Sequence, residues 1–78
     1  MFTLRKEAII QSVMAKLNAD FRTGGQTIDV VVANGDVILV GWCDIDEQRN
    51  AAIMITSGTC GVREVIDRIQ VRALKYSI

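Results

Sequence analysis

Asp44, Asp46 and Glu47 place three carboxylates within four consecutive positions, the densest such grouping in the chain. Carboxylates at that spacing can hold a cation or divide the roles of acid and base. A calcium loop needs alternating oxygen ligands around a central glycine, and that pattern is missing here. Acid–base or nucleophilic catalysis would draw on a histidine, a nucleophile elbow or a metal cluster. The sequence contains no histidine. Thr23-Gly24-Gly25 precedes a strand-like run rather than opening a helix, the wrong setting for a phosphate cradle. The three carboxylates are instead expected to start a helix, with Asp44 as the capping acceptor, Glu47 three residues on, and the dipole favouring all three. Cys43 and Cys60 fall at opposite ends of that helix. About 13 residues at about 1.5 Å each separate them by roughly 20 Å, beyond the ~7 Å Cα spacing a disulfide spans. Two reduced thiols are expected, with no zinc site, no cofactor and no enzymatic activity.

Nine basic residues balance nine acidic ones, so strong attraction to nucleic acid or anionic membrane is not expected. Arg68 and Arg72 beside Trp42 imitate a stacking platform for bases, but Asp29 and Asp36 on the same face oppose a phosphate backbone. Half of the 78 residues are hydrophobic, a high share for a chain with so small an interior. Some apolar surface is therefore expected to remain outside. Met1 to Lys6 carries Arg5 and Lys6 with no long apolar run behind it, which predicts no secretory signal and a cytoplasmic chain as given. As one domain of a longer exported protein it would be periplasmic.

Asn34-Gly35, between two apolar runs, predicts a hairpin from Gln26 to Trp42, because a two-residue type I′ turn needs positive φ at both central positions. Ala33 then faces Asp36, Val32 faces Val37 and Val31 faces Ile38. Directly opposed residues share a face of the sheet. One face reads Ile28, Val30, Val32, Val37, Leu39 and Gly41, without a charge, and is assigned to the core. The other reads Asp29, Val31, Ala33, Asp36, Ile38, Val40 and Trp42, unusually apolar for a solvent side.

Two helices and a third strand must position that hairpin. The first helix is expected over about Thr3 to Asp20. Ile9, Ile10, Val13, Met14, Leu17 and Phe21 fall in an arc of about 140° at about 100° per residue. The second is expected over Ile45 to Ser57, stopped by Gly58. Ile45, Ala52, Ile55 and Thr59 should face the sheet, Ala51 and Ile53 should flank them, and Met54 should point away. Val65 to Arg72 reads as the third strand. Val65, Ile69 and Val71 lie on the core side with Asp67, which should sit wet at the strand's entrance, and Ile66, Arg68, Gln70 and Arg72 lie outside. Ala73 to Ile78 has no clear assignment, a frayed tail or a clasp for a partner. The fold class is α+β, a single-domain two-layer sandwich in α-β-β-α-β order, with both helices on one face of a three-stranded sheet.

At these spacings the chain resembles the BON domain, a small bacterial module named after osmotically inducible and nodulation proteins. The resemblance rests on Ile9, Val13 and Leu17; on Val30, Val32, Asn34, Gly35, Val37, Leu39 and Gly41; on Ala52 and Ile55; and on Gly61, Val62, Val65, Asp67, Ile69 and Val71. It covers roughly residues 6 to 72. It implies a non-catalytic binding module that attaches proteins to membranes or phospholipids, often in the periplasm. Family hairpins alternate polar residues on the outer face, where this chain has Val31, Ile38, Val40 and Trp42. Cys43 and Thr59 also stand where valines are usual.

Two partners follow as expectations. A protein, or a second copy of the chain in a homo-oligomer, would cover Val31, Ile38, Val40, Trp42 and Ile66. A phospholipid membrane surface, implied by the resemblance, would meet the first helix or a loop, with Arg5, Lys6, Lys16 and Arg22 near the headgroups. No nucleic-acid partner is expected.

Overall fold

The structure, a computed structural model, describes residues 2–72. The expectation for Ala73 to Ile78 lies outside them. Helix α1 (Phe2–Ala19) leads to strands β1 (Thr27–Ala33) and β2 (Asp36–Cys43), helix α2 (Asp46–Ser57) and strand β3 (Glu64–Val71). The order matches the α-β-β-α-β expectation. The sheet runs β1-β2-β3, antiparallel between the first pair and parallel between the second. A parallel return needs a long crossover, and α2 supplies it.

Asn34 (φ 54°) and Gly35 (φ 88°) make the tight turn, and the register is the expected one, with Ala33 opposite Asp36 and Val31 opposite Ile38. The helix-side face is therefore apolar. Ile28, Val32, Val37, Leu39, Cys43 and Ile69 bury against Ile9, Val13 and Leu17 of α1 and Ala52 of α2. Ala51 and Ala52, both buried, keep α2 close to the sheet. The buried hydroxyls of Thr56 and Thr59 donate to the carbonyls of Ala52 at 2.7 Å and Ile55 at 2.9 Å, so neither is left unpaired in the interior.

Five side chains depart from expectation. Met14, placed in the apolar stripe of α1, is exposed, because it stands at the far edge of the arc, past the buried line of Ile9, Val13 and Leu17. The other four lie where an element ends or a sheet has an edge. Phe21 was placed in the apolar stripe of α1 but is 92 % exposed. The helix ends at Ala19, and the amides of Thr23 and Gly24 close back on the Asp20 carbonyl at 3.1 and 2.8 Å. The Thr23 hydroxyl takes the Leu17 carbonyl, so an orphan helix-end acceptor is satisfied. Helical period no longer applies to Phe21 beyond that stop. Ile45, expected against the sheet, is exposed. Asp44 does not cap α2, because the helix begins at Asp46 and the capping position is Ile45. Gln48 instead reaches back, its Oε1 accepting the amides of Asp44 at 2.8 Å and Ile45 at 3.1 Å. Asp67 lies mid-strand rather than at the entrance of β3, which begins at Glu64. It remains partly wet because β3 is an edge strand.

Candidate partner-binding face of the sheet

With both helices on one side, the other face of the sheet is uncovered by any described element. Strand pairing fixes what it presents. Across the three strands the residues line up in rows: Ala33–Asp36–Glu64 at the turn, then Val31–Ile38–Ile66, Asp29–Val40–Arg68 and Thr27–Trp42–Gln70. Cross-strand neighbours in a row point the same way. The five residues expected to bind a partner are thus brought together. Ile38, Val40 and Trp42 run down β2, while Val31 and Ile66 flank Ile38. Val31 and Trp42 are each 46 % exposed and Val40 is 41 % exposed; Ile38 and Ile66 are half-buried.

Charge borders this apolar strip. Asp29 on β1 and Arg68 on β3 stand on either side of Val40, both exposed. At the turn, Asp36 accepts from Arg63 Nε at 3.0 Å and Nη2 at 3.1 Å. That guanidinium holds the Asp36 carboxyl below its ordinary range. At the opposite end, Trp42 and Arg72 line a shallow groove of about 300 Å³, and Arg72 Nε lies 3.9 Å from an Asp44 carboxylate oxygen.

The four residues expected to meet a membrane fall into two places. Arg5 and Lys6 border a groove of about 440 Å³ with Ile9, Val32, Asn34, Gly35 and Gly61, beside the hairpin tip. Lys16 lies toward the other end of α1, on a groove of about 430 Å³ with Ala19, Asp20, Met54, Ile55 and Gly58. Arg22 is fixed by Asp20, at 3.0 Å from Nε to one oxygen and 2.9 Å from Nη2 to the other. These bonds pull the Asp20 carboxyl down to about 2. Beside Arg22 stands an apolar feature that sequence reasoning missed. Phe21 projects from the turn, with the Arg22 guanidinium 5.9 Å from its ring centre. The breaker cluster Thr23-Gly24-Gly25 was the available signal, since it stops the helix before the period reaches Phe21. Among the described residues, no three His, Cys, Asp or Glu side chains stand together so as to hold a metal. No described helix is long and apolar enough to cross a membrane.

A three-stranded mixed sheet, two helices on one face and an open apolar strip on the other define a small α+β sandwich. The chain belongs to the BON domain family, whose profile matches residues 5–73. BON domains are binding modules and are generally non-catalytic. No curated protein matches the chain.

Proposed function

We propose that this BON domain is a protein-interaction module whose partner covers the outer face of the sheet. The observation that carries this reading is the strip Val31, Ile38, Val40, Trp42 and Ile66, apolar where solvent-facing sheet positions are ordinarily polar. If the strip exposes on the order of 400 Å², it reaches the patch size that marks interaction sites. An equal area on the partner makes about 800 Å² in all, roughly 20 kcal/mol gross at about 25 cal/mol per Å². Association costs about 4–15 kcal/mol before side chains are ordered. Stable complexes bury about 1,200–2,000 Å², so the association is expected to be weak and concentration-dependent. Trp42→Asp tests it. Sedimentation should show the assembled species falling to monomer mass while the far-UV circular dichroism stays unchanged, and an unaltered mass distribution removes this face as the interface.

A second reading, contact with a phospholipid surface, is favoured by Phe21. An aromatic ring that is 92 % exposed, with the Arg22 guanidinium beside it, suits a shallow membrane contact. Family membership supports it, and the balanced charge keeps its electrostatic part small. Flotation with anionic vesicles separates the two readings. A lipid module co-floats and loses this on Phe21→Ser; co-flotation that survives the substitution excludes Phe21 as the contact.

A further inference from the structure

Asp29, Val40 and Arg68 form one level row, acid on β1, apolar residue on β2, base on β3. Among the described residues neither Asp29 nor Arg68 takes part in an ion pair, although five other pairs form. The row is acidic at one end and basic at the other, and such a pattern is complementary to itself when reversed.

We propose that the occupant is a second copy of this chain, stacked sheet to sheet about a two-fold axis that lies between the sheets along the strand direction. It rests on the reading of the outer face as a protein interface. That axis exchanges β1 with β3 and, with the sheets crossing at Val40, keeps the Asp29–Val40–Arg68 row level. Asp29 of each copy then meets Arg68 of the other, and Val40 meets Val40. In the neighbouring rows Val31 meets Ile66, Ile38 meets Ile38 and Trp42 meets Trp42. The interface is isologous, as two-fold contacts must be. An axis running across the strands and centred on this row would set β1 on β1 and β3 on β3. Asp29 would then oppose Asp29 and Arg68 would oppose Arg68, an arrangement that like charge disfavours. At the turn the chosen axis brings the two Asp36 residues to the same end. Each is already bound by Arg63 through both oxygens, and aligned sheets cross at about 30°, so their ends splay apart.

Charge reversal separates this arrangement from every other use of the face. Asp29→Arg makes both flanks basic and Arg68→Asp makes both acidic. Each variant alone should weaken dimerisation at least about tenfold in low salt, while an equimolar mixture of the two should dimerise within about threefold of the unaltered chain. The double variant, Asp29→Arg with Arg68→Asp, should dimerise equally well. Sedimentation at up to millimolar chain reads all of these, with circular dichroism confirming the fold of each. If Trp42→Asp dissociates the dimer but the mixture stays monomeric, this arrangement is overturned and the face remains an interface. If the unaltered chain is monomeric at millimolar concentration, or if Trp42→Asp leaves its dimer intact, the arrangement and the face fall together.

Discussion

Arg49 on α2 reaches Asp67 in the middle of β3, with Nη1 3.3 Å from Oδ2. The other carboxylate oxygen accepts the Ile69 amide at 3.0 Å. Arg49 also lies 3.6 Å from Asp46, while its Nε is buried without an acceptor. Asp67 occupies the helix-side face opposite Leu39, a position where packing alone would select an apolar residue. An inward-pointing charge on an edge strand discourages another strand from pairing there. The charge is therefore expected to keep the edge of β3 single more than to stabilise the fold, since a partly exposed ion pair contributes only about 0–1 kcal/mol. Asp67→Val should unfold in urea within about 1 kcal/mol of the unaltered chain, because a β-branched residue suits the site. It should also form species larger than a dimer on standing. A variant that sediments as the unaltered chain does would mean that Asp67 does not guard the edge.

Gly41 is the position where a methyl group should cost most. Its φ is 144°, a region that side chains avoid. A Cβ there would collide with the Thr27 carbonyl oxygen on the neighbouring strand. Neither strain can relax without pulling β1 from β2, where Gly41 pairs with Ile28 beside Ile69. Gly41→Ala is expected to cost about 3 kcal/mol or more, a large part of the stability of so small a domain. Urea melts followed by Trp42 fluorescence measure it. A midpoint close to that of the unaltered chain would show that the strand accommodates the methyl group.

What the sequence made legible follows from how local each signal is. Asn34-Gly35 fixes a turn with two residues, and the turn fixes the register of seven cross-strand pairs. Both faces of the hairpin, and with them the apolar strip, followed from that one feature. Helix ends resist the same treatment, because a period continues on paper after the chain has turned. Phe21 extends the stripe of Ile9, Val13 and Leu17 only if the helix continues. Thr23 and Gly24 close it first, and the ring is turned out beside Arg22. Asp44 failed as a cap for a related reason: shifting the first turn by one residue hands the role to Gln48, whose longer side chain reaches two amides. Asp67 was misplaced because its partner, Arg49, lies 18 residues away, and nothing local announces that pairing. The Asp29–Val40–Arg68 row became visible only once β3 was known to run beside β2.

Asp20 gives the turn a signature in acid. The side-chain hydrogen bonds from Arg22, helped by its backbone amide, hold the carboxyl at about 2, well below the usual range near 4. A carboxylate whose pKa is lower folded than unfolded stabilises the fold above its unfolded pKa. That contribution is lost as pH falls from about 4 through about 2. An NMR titration of the side-chain carboxyl should give a midpoint near 2, returning toward the ordinary value in Arg22→Gln. A midpoint near 4 in the unaltered chain would mean that the Asp20–Arg22 pair does not persist in solution.

The two thiols should differ as sharply as their surroundings. Cys43 is fully buried at the end of β2, with its Sγ 3.4 Å from the Ile45 carbonyl oxygen. Burial pushes its thiol up, which leaves less of the reactive thiolate at neutral pH. Cys60 is exposed beyond the end of α2, near Ser12 and Gly61. A water-soluble thiol reagent at neutral pH should therefore label one cysteine per chain quickly, and Cys60→Ser should remove that phase. Cys43 can react only when the sheet opens beneath α2, so its labelling should track global stability and quicken in urea. The destabilised Gly41→Ala chain should expose it without denaturant. Equal labelling rates for the two thiols in the unaltered chain would show that the end of β2 opens independently of the core.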